Sequence, residues 1–221
     1  MVAAAAPLFV ARGYLDTTMA ELAAAAGVAV QTLYLAFGSK AAVLRAVWDA
    51  AGPERPAGWP EALAAAPDGP VALARHVDLT TAAVERRHPL DAVLRAAAAD
   101  PEPAELLATA RAAALDAHAR AVDELAEHPG FTVDMSLQRA TDVLATLLAP
   151  ETYGLLVVQQ GWTTPDWAEW ALRHLVADLF PGRAVVAAGR RQCRGRRPGR
   201  RGRLAACSRG RSCPRRARSG R

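Results

Sequence analysis

The sequence is poor in the residues that favour β-sheet. Its 221 residues include no isoleucine and only 5% aromatic residues, and alanine makes up much of the 52% hydrophobic fraction. β-branched and aromatic side chains favour strands, whereas alanine is the strongest helix former. The composition therefore argues against a β-sandwich or barrel and predicts an all-α chain of one or two domains.

Long hydrophobic runs and a leader sequence are also lacking. No uninterrupted stretch reaches the roughly 18 uncharged apolar residues that a membrane span needs. The N-terminus is apolar without the basic flank and cleavage site of a signal peptide, so it is interpreted as the start of a helix. The three cysteines all lie beyond residue 190. Because thiols are kept reduced in the cytoplasm, the cysteine-free remainder suits a cytoplasmic location.

Acidic residues are absent from the C-terminal segment. Residues 183–221 contain 15 arginines and no lysine, aspartate or glutamate, which leaves 12 basic against 22 acidic residues in 1–182. A segment so charged and so poor in apolar periodicity cannot offset its ordering entropy by burial. Residues 182–221 are therefore predicted to be a disordered tail.

Residues 1–51 carry well-marked helix ends. Thr18 and Glu21 have the spacing of a capping box, and Gly27 permits the left-handed turn that ends a helix. The apolar periodicity predicts four helices at about 2–12, 18–26, 29–37 and 41–51. The second and third, about 18–37, are joined by a short turn that contains glycine, which is typical of a helix-turn-helix.

The remainder of the chain is predicted to form a connector and a helical bundle. Residues 52–70 contain five prolines and read as a connector with one short helical piece. Residues 71–181 are predicted to form a second domain, in which Pro89, Pro101 and Pro103 break helices and Thr164 caps the last helix ahead of Pro165. The helices are predicted at about 71–87, 89–98, 103–128, 136–149, 151–160 and 165–180.

Two blocks in the first fifty residues form a recognisable pattern. They are LFVARGYLDTTMAELAAAAG, which begins at Leu8, and GVAVQTLYLAFGSKAAVL, which begins at Gly27. In order and spacing they resemble the DNA-binding domain of TetR-type transcriptional repressors. The resemblance implies a dimeric, ligand-responsive repressor that places its third helix in the major groove of a palindromic operator.

The resemblance also implies which side chains contact DNA. Gln31 would read an adenine, Thr32 a phosphate or a thymine methyl, and Tyr34 a phosphate through its hydroxyl. The other expected phosphate contacts are Thr17, Thr18 and Lys40. Alternative interpretations are that Thr18 is only a cap, Tyr34 a core aromatic, and Gln31 and Lys40 ordinary surface residues.

Several positions depart from the pattern of the family. Ala29 stands where a small hydroxyl residue is usual, and Leu35 and Ala36 can donate no hydrogen bond. Residues 1–50 contain three basic and three acidic residues, so the segment has no net charge. Because phosphate neutralisation drives much of DNA affinity, we expect weakened binding.

The resemblance assigns residues 71–180 to effector binding and dimerisation. An apolar or aromatic effector is expected near His76, His118 and Tyr153, although a histidine on an amphipathic helix is more often a core or surface residue. Helices at about 136–149 and 165–180 would pair with their copies into a four-helix interface. The apolar residues offered for that interface, or alternatively for the monomer core, are Leu144, Leu147, Leu148, Trp167, Trp170, Leu172, Leu175, Val176 and Leu179.

Other functional classes have weaker support. The sequence has none of the common hydrolase, zinc-protease or phosphate-loop motifs, so no enzymatic activity, cofactor or metal is expected. Glu124 and His128 have chelating spacing but no third ligand. The main alternative is a small-molecule-binding helical dimer that has weakened or lost operator recognition. A third hypothesis is a nucleic-acid binder that acts through the arginine-rich tail without sequence preference.

Overall fold

The computed structural model describes residues 1–52 and 55–182, in which helices are joined by turns and loops. A π-helix, Gly154–Gln159, directly follows α9, and the described residues contain no strand, so the predicted all-α fold class is confirmed. The predicted disordered tail lies, apart from Gly182, outside the described residues. The helices are α1 Val2–Arg12, α2 Met19–Ala25, α3 Val30–Phe37, α4 Lys40–Ala50, α5 Trp59–Ala64, α6 Gly69–Ala96, α7 Pro101–Ala126, α8 Leu137–Leu147, α9 Pro150–Tyr153 and α10 Thr164–Leu179.

The buried side chains form two clusters. In the first, Phe9 of α1 and Leu44 of α4 pack with Leu33 of α3, and the end of α6 contributes Leu94. This cluster crosses the predicted boundary at residue 51, because α6 and the start of α7 complete the core under the N-terminal helices. The second cluster surrounds the fully buried Trp167 and joins α5, α6, α7, α8 and α10. The N-terminal helices are thus packed on the bundle that follows them.

Proline positions account for the main differences from the predicted helices. Pro89 lies inside α6 and does not break it, and Pro101 begins α7. Proline has no amide hydrogen, so Pro89 leaves the carbonyl of Glu85 without its usual helical donor. Both residues are exposed. Water can therefore replace the lost hydrogen bond, while Val84 and Leu90 bury apolar area on either side. Exposed Pro7 lies inside α1 in the same way.

The last helix starts one residue earlier than expected. Thr163, not Thr164, is the N-cap of α10: its hydroxyl accepts from the amide of Asp166 at 3.2 Å, and the Asp166 carboxylate accepts from the amide of Thr163 at 3.2 Å. The other end of α10 is fixed by Phe180, whose ring would overlap a Cβ atom at Gly69. Glycine at the start of α6 therefore allows the two helices to meet.

One stretch, Leu137–Gln159, is long and apolar enough to cross a membrane by length and composition alone. The bent pair α2 and α3 passes the same test only when its two helices are counted together. The stretch Leu137–Gln159 was not predicted from the sequence, because only uninterrupted runs of uncharged residues were considered there. It contains Arg139, Asp142 and Glu151, and the chain changes helix between Leu147 and Pro150. A single stretch of this kind is weak support for a span, since helices of soluble proteins pass the same test.

Candidate nucleic-acid interface

Helices α2 and α3 form a compact helix-turn-helix. The two helices are bent by 105° relative to each other across a turn in which Gly27 has a φ of +66°. The amide of Val28 donates to the carbonyl of Ala23 at 3.0 Å, which fixes the turn. Leu22 and Leu33 are both 1% exposed and hold the two helices on a common core. This angle is the one at which a second helix can project from the domain.

The outer side of α3 is free of core packing. Leu33 is buried and Phe37 is half-buried, whereas Gln31 and Thr32 are exposed. Tyr34 is 50% exposed, so its interpretation as a core aromatic is wrong, and Leu35 is 84% exposed. The predicted DNA-contacting residues of this helix therefore share one accessible surface. Leu35, noted above as a departure from the pattern of the family, belongs to the same surface.

Thr18 is exposed and forms the predicted capping box. Its hydroxyl accepts from the amide of Glu21 at 3.3 Å and donates to the Glu21 carboxylate at 2.9 Å. The amide and hydroxyl of Thr18 lower the pKa of Glu21, and the paired Arg12 lowers it further. A phosphate at Thr18 would therefore compete with an ionised carboxylate for the same donors.

The burial of Thr17 contradicts the prediction that this residue contacts a phosphate. The side chain is 1% exposed, and its hydroxyl donates to the carbonyl of Gly13 at 2.7 Å. This bond closes the turn between α1 and α2. The hydroxyl is consequently enclosed and already bonded, so it cannot reach a DNA backbone in this conformation.

Lys40 is also engaged within the protein. Its ammonium donates to the carbonyl of Tyr14 at 2.7 Å and to that of Leu15 at 3.3 Å, and it lies 4.2 Å from the centre of the Tyr14 ring. The half-buried side chain thus joins the start of α4 to the turn after α1. The expected phosphate clamp stays a prediction, because two of the three ammonium donors of Lys40 are already used by protein carbonyls. Of the other basic residues in 1–50, Arg12 pairs with Glu21 and Arg45 is exposed.

Comparison with known proteins agrees with this geometry. Residues 1–47 match the family model described as bacterial regulatory proteins, tetR family. This match assigns residues 1–47 to the DNA-binding domain type of that family. The expected TetR-type helix-turn-helix domain is thereby confirmed for these residues. No curated protein sequence matches the chain significantly.

Solved structures share the fold of this chain over most of its length. NalD of Pseudomonas aeruginosa, the secondary repressor of the MexAB-OprM multidrug efflux pump, is 20% identical with a TM-score of 0.62, covering 82% of this chain and 94% of its own. A TetR-family regulator of Rhodococcus sp., described as putative, is 19% identical with a TM-score of 0.60 (80% and 95%). PfmR of Thermus thermophilus is 21% identical with a TM-score of 0.57 (80% and 96%). At these identities the likeness shows the fold.

The predicted effector residues lie in two places in the helical bundle. His76 and His118 lie together in the core, with Nε2 of the first 3.0 Å from Nδ1 of the second. Tyr153 instead packs between the rings of His88 and Trp167. Burial lowers the pKa of both core histidines, and for His118 it does so to about 3 with a further contribution from nearby Arg55. Both rings are consequently neutral at physiological pH.

A small cavity of about 70 Å³ lies between α4, α6, α7 and α9, and none of the three predicted effector residues lines it. The Arg87 guanidinium lies 4.8 Å from the centre of the Trp48 ring at this cavity and also donates to the carbonyl of Gly52, just after α4. Arg86 donates to the carbonyl of Ala51 at 2.8 Å. Sequence reasoning missed this site because its residues come from four separate segments. Its lining comprises Trp48, Ala83, Val84, Arg87, His88, Asp91, Ala110, Arg111, Ala114, Pro150 and Glu151.

The apolar residues offered for the dimer interface divide between core and surface. Most of them belong to the monomer core: Leu144, Leu148, Trp167, Leu175, Val176 and Leu179. Leu147, Trp170 and Leu172 are half-buried. Three further apolar side chains, which we call the outer apolar residues, are exposed on the π-helix and just after it: Leu155 (50%), Val158 (60%) and Trp162 (37%). Trp162 contacts the ring of Trp170 edge-on, which links this surface to α10.

The possible metal pair Glu124 and His128 gains no third ligand. Within residues 1–52 and 55–182, no group of three or more histidine, cysteine, aspartate or glutamate side chains could hold an ion. The His128 ring instead lies 3.3 Å from the carbonyl oxygen of Leu63.

Proposed function

We propose that this chain is a ligand-responsive repressor that binds a palindromic DNA operator as a homodimer in the cytoplasm. The observation that carries the proposal is the accessible outer side of α3 in a domain of the TetR type. Gln31, Thr32 and Tyr34 present an amide and two hydroxyl groups there, and these groups suit base edges and phosphates in a major groove. Thr18 lies exposed at the start of α2 as a further phosphate contact.

Dimerisation is supported by the outer apolar residues, which adjoin α10. Leu155, Val158 and Trp162 expose apolar surface to water, whereas most other large apolar side chains of the domain are buried. A two-fold axis would bring this surface against its own copy, as an isologous interface requires. The same pairing would set the separation of two α3 helices at one turn of DNA, about 34–36 Å.

A route for ligand response runs through Arg87. Arg86 and Arg87 donate to the carbonyls of two residues just after α4, Ala51 and Gly52. Positive charge is favourable at this end of a helix dipole. A ligand that enlarged the cavity and contacted Trp48 would compete for Arg87 and release the end of α4. Because α4 packs on α1, this release would alter the placement of α3. The ligand regulates DNA binding only to the extent that it prefers the released state.

Binding of the full-length chain to a duplex selected from random DNA tests the proposal. The assay is fluorescence polarisation at about 0.15 M salt with excess unrelated DNA, which suppresses binding through the arginine-rich tail. Gln31→Ala is expected to weaken binding about 5- to 100-fold, since it removes one bidentate base contact. Glu127→Ala, which truncates an exposed side chain of the same length just after α7, is the matched control. Equal affinity of both variants and the wild type would contradict base reading by α3.

The alternative, a small-molecule-binding dimer without operator recognition, also has a specific observation in its favour. The N-terminal helices have no net charge, and Lys40 is already bonded to two carbonyls. This alternative predicts a stable dimer that binds every duplex sequence with equal affinity, and this affinity falls as the salt concentration rises. The two proposals therefore differ in sequence preference.

A further inference from the structure

The outermost positions of α3 are occupied by one amide and one apolar side chain. An α-helix turns by about 100° per residue, so residues 31 and 35 both lie opposite the buried Leu33. As an i, i+4 pair they are neighbours, with Cβ atoms about 5–6 Å apart. Gln31 is exposed and Leu35 is 84% exposed, the highest value for a large apolar residue of α3. A groove that receives this helix would meet these two side chains first.

The chemistry of this face restricts which bases it can distinguish. Helix α3, with the sequence VQTLYLAF, carries no arginine or lysine for guanine O6 and N7, and no carboxylate for the amino group of cytosine. An amide matches adenine N6 and N7, and an apolar group matches the 5-methyl group of thymine. Bases stack about 3.4 Å apart. Two side chains about 5–6 Å apart therefore reach neighbouring base pairs.

We propose that Leu35 is a specificity-determining residue that packs on a thymine methyl group beside an adenine read by Gln31. The inference rests on the proposed operator binding and names the base pairs that the operator must contain. Each half-site would have A·T pairs at its centre, because α3 has no arginine or lysine to favour guanine and no carboxylate to favour cytosine there. Leucine at this position is thus an active part of the reading surface, although it forms no hydrogen bond.

Deoxyuridine substitution tests this contact directly. Replacing thymine by deoxyuridine keeps the base pair and removes only the methyl group. In the selected duplex, one such replacement in each half-site is expected to weaken binding of the full-length wild type about fourfold, the value of one buried methyl-sized group. The Leu35→Ala variant should bind the thymine and deoxyuridine duplexes equally. Leu35→Met, which keeps an apolar contact, should retain the difference.

Two controls separate the possible outcomes. Thr32→Ser removes a second exposed methyl group of α3, and Val133→Ala truncates an exposed residue outside the N-terminal helices. Both variants should keep the fourfold difference. Leu35 is exposed, so its variants should melt at the wild-type temperature. Loss of the difference in Thr32→Ser, or its persistence in Leu35→Ala, would overturn the role of Leu35 while leaving operator binding intact. Failure to select any preferred duplex would overturn both proposals.

Discussion

Lys40 and Thr17 stabilise the turn between α1 and α2. Thr17 donates to a carbonyl four residues before it, and Lys40 donates to carbonyls 26 and 25 residues before it. The sequence shows two adjacent threonines and a lysine at a helix start, and all three have the chemistry of phosphate contacts. Only tertiary packing decides that Thr17 is buried while Thr18 is exposed. The functional interpretation of these residues was therefore the least predictable part of the site.

Replacing Lys40 tests its structural role. Lys40→Met is expected to lower the free energy of unfolding by about 1–2 kcal/mol, because charged hydrogen bonds to two carbonyls are lost from a half-buried group. Chemical denaturation followed by circular dichroism measures this change. Arg45→Met, which removes an exposed charge of the same domain, should change stability little. A Lys40→Met variant of wild-type stability with reduced DNA affinity would instead support the phosphate clamp.

The His76–His118 pair makes stability depend on pH. The pKa of His118 is about 3 in the folded chain and about 6.5 when unfolded, so between these values only the unfolded chain binds the proton. The free energy of unfolding therefore falls as pH falls below about 6.5. Burial lowers the pKa of His76 in the same direction.

Urea denaturation at pH 7.5 and pH 5 measures this dependence. Between these values His118 alone should remove about 2 kcal/mol of stability. His118→Asn should flatten the dependence by about that amount, whereas His174→Asn, at an exposed position, should leave it unchanged. An unaltered pH dependence in His118→Asn would show that the pair is not buried in neutral form.

At the scale of elements, α3 begins without a side-chain cap. Ala29 has the extended backbone of an N-cap residue, with φ of −68° and ψ of 146°, but offers no hydrogen bond to the first turn. Helices α2 and α4, by contrast, are capped by Thr18 and Ser39. The helix that presents the reading surface is therefore held by its contacts with α2 and α4 and by Leu33.

A hydroxyl at residue 29 should stabilise α3. Ala29→Ser is expected to raise the free energy of unfolding by about 1 kcal/mol, the usual value of an N-cap hydrogen bond. Ala29→Val adds bulk without an acceptor and serves as the control. Equal stability of the serine and valine variants in thermal and chemical denaturation would contradict the cap geometry.

Helix ends could be predicted from the sequence where local chemistry sets them. The Thr18 and Glu21 capping box and the glycine turn at Gly27 needed only neighbouring residues. Pro89 was misjudged because its tolerance depends on which side of α6 faces water, and that follows from packing against α7 and α10. The start of α10 was misplaced by one residue because Thr163 and Thr164 are both suitable caps, and only the position of Asp166 selects the first.

At the scale of the whole molecule, the outer apolar residues are the surface that a second copy would cover. Exchanging two of them for charges, as in the double variant Leu155→Lys, Val158→Lys, should raise the dimer dissociation constant by on the order of 100-fold, because apolar burial is lost and two charges would be desolvated. Analytical ultracentrifugation measures the change. Val133→Lys, at a 95% exposed position, is the control. An unchanged dimer in the double variant would place the interface elsewhere.

The central claim is that two α3 helices read DNA together, and unbiased selection of binding sites from random duplexes tests it most directly. With the full-length chain and excess competitor DNA, we predict an enriched symmetric motif with half-sites about 10 base pairs apart, centre to centre, or a multiple of that spacing. Recovery of all sequences in equal proportion, or of a motif without two-fold symmetry, would contradict the account.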